Sequence, residues 1–211
     1  MLNVKNAKQY IEKFLKIKTK NNEIVPFTLN EPQKRLYDVI RQQAEQKKPI
    51  RLIILKARQM GFSTLTEALI FHRTATKANV NSLIIAHKDD ATTNLFNMSK
   101  LFYSELPPMM KPQRRASNAK EIIFDAPSRR EDLKGLNSKI KCATAGGDGV
   151  GRSDTFSNVH ISEFAFWTGD KMETLNGLLQ SVPSTAGTMV IVESTANGFD
   201  EFKRLWDASV N

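Results

Sequence analysis

The sequence predicts an α/β protein whose mostly parallel sheet is covered by helices on both faces. Short apolar runs recur along the chain, and most are followed by a segment whose apolar residues have helical spacing. Such alternation is typical of parallel sheets, because the chain needs a helix to return from one strand to the next. With 211 residues, 40% of them hydrophobic, the chain is long enough for one domain with a covered core.

The expected elements follow one another in a regular order. Helices are predicted over 5–18, 33–46, 64–76, 89–105, 171–180 and 200–206. Strands are predicted over 51–55, 82–86, 121–124, 139–144, 158–162 and 188–193. Ligands of such sheets bind outside the carboxyl ends of the strands, so functional residues should lie just after 55, 86, 144, 162 and 193.

Composition narrows the class of protein. No apolar run approaches the roughly 20 residues of a membrane helix, and the N-terminus lacks the pattern of a secretory signal, so we expect an intracellular protein without membrane contact. Cys142 is the single cysteine, and the histidines are widely spaced. Neither a disulfide framework nor a Cys/His zinc site can form from such residues, and any metal must be held by oxygens.

The formal charge of +9 is unevenly distributed. Residues 1–58 hold 14 Lys and Arg against five Asp and Glu, which accounts for all of it. A second basic stretch, Lys111–Lys141, holds nine basic residues against four acidic ones. Either stretch could attract a polyanion such as DNA through salt-sensitive contacts, or could be a solvated face that keeps the protein soluble.

A candidate phosphate-binding loop follows the first long strand. The segment Lys56-Ala-Arg-Gln-Met-Gly-Phe-Ser-Thr64 lies between a predicted strand and a predicted helix, which is the context that such a loop requires. Gly61 and Ser63 match the pattern G-x-x-x-x-G-K-[ST], but Phe62 stands at the position of the lysine. A cation for the phosphates could come from Lys56 or from Arg58.

Two later strand ends carry further candidates. In nucleotide hydrolases, the strand next to the phosphate loop ends in an acid of the Mg²⁺ shell, followed by a glutamate that polarises water. The run Ser157–Glu163 has Ser162 at the first of these positions, so Glu163 is predicted to be the catalytic carboxylate. The third element, Val190–Gly198, is a strand followed by small hydroxyl and amide residues. The three elements together favour nucleotide hydrolysis by a P-loop protein.

With these residues the chain resembles the ATPase domain of tailed-phage large terminases, over nearly its whole length. The loop starting at Lys56 is similar to the terminase form, in which an early basic residue can replace the usual lysine. The segment from Gly149 through His160-Ile-Ser-Glu-Phe-Ala165 and the run Ser194-Thr-Ala-Asn197 resemble further motifs of this family. The resemblance implies a RecA-like (ASCE) P-loop fold.

The resemblance also implies roles for individual residues. Ser63 would be a Mg²⁺ ligand, with Glu163 acting on the metal through water and activating the attacking water. Arg58 and Arg152 would assist catalysis, Arg152 as an arginine finger that serves a neighbouring subunit or its own site. ATP would be bound by Gln33, which would read adenine, and by Lys56, Arg58, Gln59, Gly61, Ser63 and Thr64. Hydrolysis would be coupled to movement by Ser194, Thr195, Ala196 and Asn197.

As a member of that family, the protein would use ATP and Mg²⁺ to move double-stranded DNA, bound without sequence preference, into a procapsid. Its partners would be the portal protein, the small terminase subunit and further copies of itself in a ring, at the portal vertex in the host cytoplasm. Residues 1–48 would form a basic helical segment at the adenine side, and residues 49–211 the ATPase core, with no nuclease domain.

Two other functions fit part of the pattern. A helicase or remodeller of the same P-loop class would share the phosphate loop, but it would need a partner domain or subunit to complete its ATP site. A non-enzymatic basic DNA-binding module would explain the charge of residues 1–58 but not Gly61, Ser63 and Glu163 at strand ends.

Overall fold

The computed structural model describes residues 4–125, 135–146 and 154–210. The α/β alternation predicted from the sequence is confirmed. In chain order the elements are α1 (Val4–Phe14), β1 (Lys16–Lys18), β2 (Ile24–Pro26), α2 (Glu31–Glu45), β3 (Ile50–Leu55), α3 (Phe62–Thr76), β4 (Asn81–Ala86), α4 (Asp89–Glu105), β5 (Ala116–Ser117), β6 (Glu121–Phe124), β7 (Ser138–Thr144), β8 (Asn158–Ser162), α5 (Lys171–Gln180), β9 (Met189–Ser194) and α6 (Glu201–Val210). Of the helices in these ranges, none is both long and apolar enough to cross a membrane.

Seven strands form one sheet in the order β3-β9-β8-β4-β7-β6-β5. The first five are parallel, whereas β6 and β5 pair antiparallel at one edge. The parallel strands end together, because Leu55 lies beside Ser194, and Ser162 lies beside both Glu193 and Ala86. The expected gathering of strand ends at one side of the sheet is therefore confirmed.

The core consists of two buried clusters, one on each face of the sheet. Alternate residues of β4 divide between them, since Ile84 belongs to the first cluster and Leu83 and Ile85 to the second. Helices α1 to α4 cover the first face, whereas α5 and α6 cover the second. Burial on both faces explains why the central strands are almost continuously apolar.

The helix predicted over 5–18 is wrong in its last four residues. Helix α1 ends at Phe14, and the next residues form β1, which pairs with β2 in a hairpin. The pairing continues beyond the strands through a hydrogen bond from the N–H of Phe27 to the carbonyl oxygen of Leu15. A long-range backbone partner thus overrides the local helical spacing. Ile11 of α1 and Tyr37 of α2 share a core with α3, and the proposed division at residue 48 stays a prediction.

Candidate active site

The loop between β3 and α3 places the uncapped N-terminus of α3 at the carboxyl ends of the strands. No side chain caps the first turn of α3, whose N-cap residue Gly61 has a left-handed φ of 78°. The first backbone N–H groups of a helix have no partner within the helix, and together with the helix dipole they favour an anion. The geometry of residues 56–64 therefore suits a phosphate group.

Gln33 holds this loop against α2. Its Nε2 donates to the carbonyl oxygen of Gly61 at 2.7 Å, and its Oε1 accepts from the N–H of Asn30 at 2.9 Å. Asn30 in turn caps α2 and donates from Nδ2 to the carbonyl oxygen of Met60 at 3.3 Å. Both polar ends of Gln33 are thus engaged within the protein, and its role in reading adenine stays a prediction.

Lys56 lies at the centre of the site. Its side chain is only 9% exposed. The ammonium Nζ lies 2.9 Å from Ser63 Oγ, 2.9 Å from Glu193 Oε1 and 3.4 Å from Glu163 Oε1. Three residues from three separate segments of the chain therefore converge on one cation. Arg58 is exposed and makes no contact of this kind with any described residue.

Glu163 is held by the segment that follows β9. Its backbone has a left-handed φ of 52°, which turns the chain sharply after β8. Its Oε2 accepts from both the N–H and the Oγ1 of Thr195, each at 3.3 Å. Ser194 Oγ and Asn197 Nδ2 bind the backbone of Ala165 at 3.1 and 3.2 Å. The predicted coupling residues therefore contact the strand end that carries Glu163.

The strand order corrects one assumption of the sequence analysis. β8 is not next to the phosphate-loop strand, because β9 lies between β3 and β8. The side chain nearest to both Ser63 and Ser162 is consequently Glu193 of β9, whose Oε1 lies 2.5 Å from Ser63 Oγ and 3.3 Å from Ser162 Oγ. Sequence reasoning did not single out Glu193.

Three ionisable groups, each 0% exposed, lie behind the loop: Glu67 of α3, His160 of β8 and Glu193. His160 Nδ1 lies 2.6 Å from Glu67 Oε1, and its Nε2 lies 3.1 Å from Glu193 Oε1. Burial opposes charge on both His160 and Glu193. The two carboxylates nevertheless raise the pKa of His160 to about 9, and His160 with Lys56 lowers the pKa of Glu193 to about 2. For Glu67 burial dominates, and its pKa is raised.

The sequence carries a signal for these three groups. Each is a polar residue inside an apolar run, Leu-Thr-Glu-Ala-Leu for Glu67, Val-His-Ile for His160 and Val-Ile-Val-Glu for Glu193. A buried charge is costly unless it is paired, so an ionisable residue in such a run indicates a partner elsewhere in the fold. Which residue is the partner depends on strand order.

The other predicted residues occupy varied positions. Thr64 lies half-buried in the first turn of α3, and Gln59 has a left-handed φ of 67° and accepts from Lys20. Ala196 is exposed beside the coupling residues. Arg152 and its neighbours, residues 147–153, lie outside the described residues.

An apolar cavity of about 510 Å³ opens beside the phosphate loop. Its lining includes Leu36 of α2, Leu55 at the end of β3, and Met60 and Phe62 of the loop region. Within the described ranges, no three His, Cys, Asp or Glu side chains are arranged to hold a metal by themselves. The oxygens of Ser63, Glu163 and Glu193 that surround Lys56 are, however, the hard ligands that Mg²⁺ takes in combination with substrate phosphates.

No family model and no curated protein matches the sequence. Solved structures do resemble it. The large terminase of bacteriophage HK97 matches all of this chain with a TM-score of 0.73 at 15% identity, and the chain spans 42% of its length. The ATPase domain of the Thermus phage P74-26 large terminase matches 85% of this chain with a TM-score of 0.53 at 15% identity. The match covers 68% of that domain.

A third structure is the large terminase of a thermophilic bacteriophage in complex with ADP. It matches 79% of this chain with a TM-score of 0.51 at 11% identity, and the chain spans 39% of its length. Likeness at these identities concerns the fold. The resemblance predicted from the sequence is confirmed at that level, and the chain has the fold of the ATPase part of phage large terminases.

Proposed function

We propose that this chain is the ATPase motor domain of a phage large terminase, which hydrolyses ATP to drive double-stranded DNA into a procapsid. The observation that carries the proposal is the convergence on Lys56 of Ser63, at the start of α3, and Glu163, at the end of β8. A phosphate-binding helix end, a cation and a carboxylate for water activation thus occupy one side of the sheet.

Phosphate binding is supported by the chemistry of the loop. The N–H groups of the first turn of α3 are directed along the helix axis, where a phosphate can accept from them. Lys56 is the buried cation of the loop, and charge-assisted hydrogen bonds to phosphate are stronger than neutral ones. Arg58, an exposed residue of the same loop, is a second candidate for contact with the outer phosphates.

Hydrolysis is supported by the position of Glu163. Thr195 binds one carboxylate oxygen, while the other faces Lys56, so the orientation of the group is defined. A carboxylate held in this way can polarise a water molecule for attack on the γ-phosphate. Because Thr195 belongs to the segment after β9, a change at Glu163 during turnover would pass directly to the proposed coupling residues 194–197.

The base and the metal also have candidate positions. The apolar cavity beside Met60 and Phe62 suits a nucleobase, because ligand pockets are mostly apolar with a few polar groups. Mg²⁺ would be held by Ser63 and by carboxylates of the site together with phosphate oxygens. The bound metal would neutralise charge that develops on the phosphates during transfer.

Contact with DNA is proposed to come from phosphate binding by Lys and Arg, without reading of bases. The second basic stretch is partly neutralised within the fold, because Lys139 and Lys141 both pair with Asp154, at 2.9 and 2.7 Å. Residues 1–58 carry a net charge of +9. The complete motor would be a ring of copies bound to the portal protein at the procapsid vertex, together with a small terminase subunit.

The deciding experiment measures Mg²⁺-dependent phosphate release from ATP, with and without DNA, for the parent chain and for Glu163→Gln. The variant should bind ATP and hydrolyse it about 10²- to 10⁴-fold more slowly, because it lacks the polarising charge. Parental turnover by Glu163→Gln would remove its catalytic role. Absence of both nucleotide binding and release in the parent chain would favour the non-enzymatic DNA-binding module.

A further inference from the structure

The end of β8 lacks the carboxylate expected there in nucleotide hydrolases. Ser162 offers a neutral hydroxyl, which is a weaker ligand for a divalent cation or its water shell than a carboxylate is. The structure places β9 between β8 and the phosphate-loop strand, so the last side chains of β9 lie between Ser162 and Ser63. Glu193 is the acidic residue at that point.

One oxygen of Glu193 contacts three side chains beside the phosphate loop. Its Oε1 lies 2.5 Å from Ser63 Oγ, 3.3 Å from Ser162 Oγ and 2.9 Å from Lys56 Nζ. Its Oε2 is buried and has no hydrogen-bond partner among the described residues. An unsatisfied buried carboxylate oxygen is costly, which indicates a further ligand at this position. The ammonium of Lys56 already shows that the surrounding oxygens attract a cation.

We propose that Glu193, on the strand next to β8, supplies the carboxylate of the Mg²⁺ shell that residue 162 lacks. This inference rests on the proposed function and assigns the metal-binding residue within it. A site that combines one hydroxyl, one carboxylate and phosphate oxygens is typical of Mg²⁺, which seldom uses an all-protein cage. The glutamate is one methylene longer than aspartate and comes from the neighbouring strand, so its oxygen can reach the position opposite Ser63.

His160 and Glu67 position Glu193 from behind. His160 Nε2 lies 3.1 Å from Glu193 Oε1, and His160 Nδ1 lies 2.6 Å from Glu67 Oε1. Residues that orient a metal ligand in this way typically matter about 10- to 100-fold for metal affinity. These contacts among Glu67, His160 and Glu193 therefore explain why α3, β8 and β9 each carry an ionisable residue in an apolar run.

The test measures binding of a fluorescent ATP analogue, first in EDTA and then during titration with Mg²⁺. Affinity in EDTA reports the phosphate loop and Lys56, whereas the gain on adding Mg²⁺ reports the metal shell. Glu193→Gln should raise the half-saturating Mg²⁺ concentration by at least the roughly 10- to 100-fold that loss of an outer-shell partner causes. Adding Ser162→Asp to that variant should restore the parental value, because Ser162 Oγ is 3.3 Å from Glu193 Oε1.

Asp200→Asn is the matched control. Asp200 also pairs with a lysine, Lys171 at 3.2 Å, and its side chain is 15% exposed. Its Mg²⁺ titration should equal that of the parent. Should Glu193→Gln melt below the assay temperature, Glu193→Asp keeps the charge beside His160 but withdraws the oxygen by one methylene, and it should show the same direction of change.

The outcomes separate the two proposals. If the parent chain binds the analogue and gains affinity with Mg²⁺, but the folded Glu193 variants gain as much, the assignment of Glu193 is wrong while the proposed function stands. A Glu193 variant that loses affinity equally in EDTA and in Mg²⁺, without rescue by Ser162→Asp, would show that Glu193 only positions Lys56. If the parent chain binds no nucleotide under either condition, the proposed function itself fails.

Discussion

Gly61→Ala should destabilise the protein far more than an alanine at another left-handed glycine. A Cβ at Gly61 would lie 2.5 Å from Gln33 Nε2 and 3.2 Å from Gln33 Cδ, in addition to the strain of a φ of 78°. Gly169 has a similar φ of 74°, but a Cβ there would meet nothing within 4 Å. The pair therefore separates backbone strain from the collision with Gln33.

The expected magnitudes follow from these contacts. Left-handed strain on a residue with a Cβ costs about 1–2 kcal/mol, and this is the expected loss for Gly169→Ala. In Gly61→Ala the amide of Gln33 must also move, which loses its bonds to Gly61 and Asn30 at about 1 kcal/mol each. The total of about 3–4 kcal/mol corresponds to a lower melting temperature by roughly 10 °C for a domain of this size.

Urea unfolding of Gly61→Ala, Gly169→Ala and both changes in a Gln33→Ala background measures the effect. Removing the Gln33 side chain should reduce the cost of Gly61→Ala to that of Gly169→Ala, since only strain remains. Nucleotide affinity should fall in Gly61→Ala, because the loop carbonyl that Gln33 holds is displaced. Equal costs for the two glycine substitutions in the parent background would refute the argument.

Three further predictions concern other groups. Lys56→Ala should weaken nucleotide binding about 10- to 100-fold, which is the value of a lost charge-assisted hydrogen bond. Arg58→Ala should weaken it less, because the Arg58 side chain is exposed whereas that of Lys56 is only 9% exposed. Equal losses of affinity in the two variants would contradict this prediction. Burial, together with the nearby charges of Lys77 and Arg73, lowers the pKa of His72 from 6.5 to about 4. The stability that neutral His72 contributes to the fold is therefore fully present above pH 6.5 and is lost as the pH falls through 4. Urea unfolding of His72→Phe should show less acid sensitivity over that range than the parent. For Arg152, inactive Arg152→Ala and Glu163→Gln subunits should recover part of the ATPase activity when mixed under assembly conditions, as expected for a finger in trans; no recovery would favour a role in cis.

Several features of the protein could be predicted from local sequence. Apolar runs such as Arg51–Leu55 are too short for helices and too apolar for exposed strands, which is why the α/β class and the six longer strands of the main sheet were predicted correctly. The position of Gly61 and Ser63 between a strand and a helix is also a local property. Glu163 could be named as a candidate because it directly follows a strand.

Other features depended on contacts between distant segments. Residues 16–18 have helical spacing with α1, but pairing with residues 24–26 makes them a strand, because backbone hydrogen bonds to a partner outweigh weak helix propensity. The reading of adenine by Gln33 stays a prediction, but the contacts of its amide with Asn30 and Gly61 became visible only in the fold. A side chain's partners cannot be read from its own neighbours in sequence.

The candidate site shows most clearly which features depend on local sequence and which depend on the tertiary structure. The sequence determined which residues stand at strand ends, because that depends on the period and length of apolar runs. Only the tertiary structure decided that β9 lies between β3 and β8, which brings Glu193 to Ser63 across 130 residues of chain. Strand order results from the packing of whole helices and strands, and a parallel sheet of the same elements could be assembled in more than one order. The carboxylate nearest to the phosphate loop therefore became apparent only when the strands were in place.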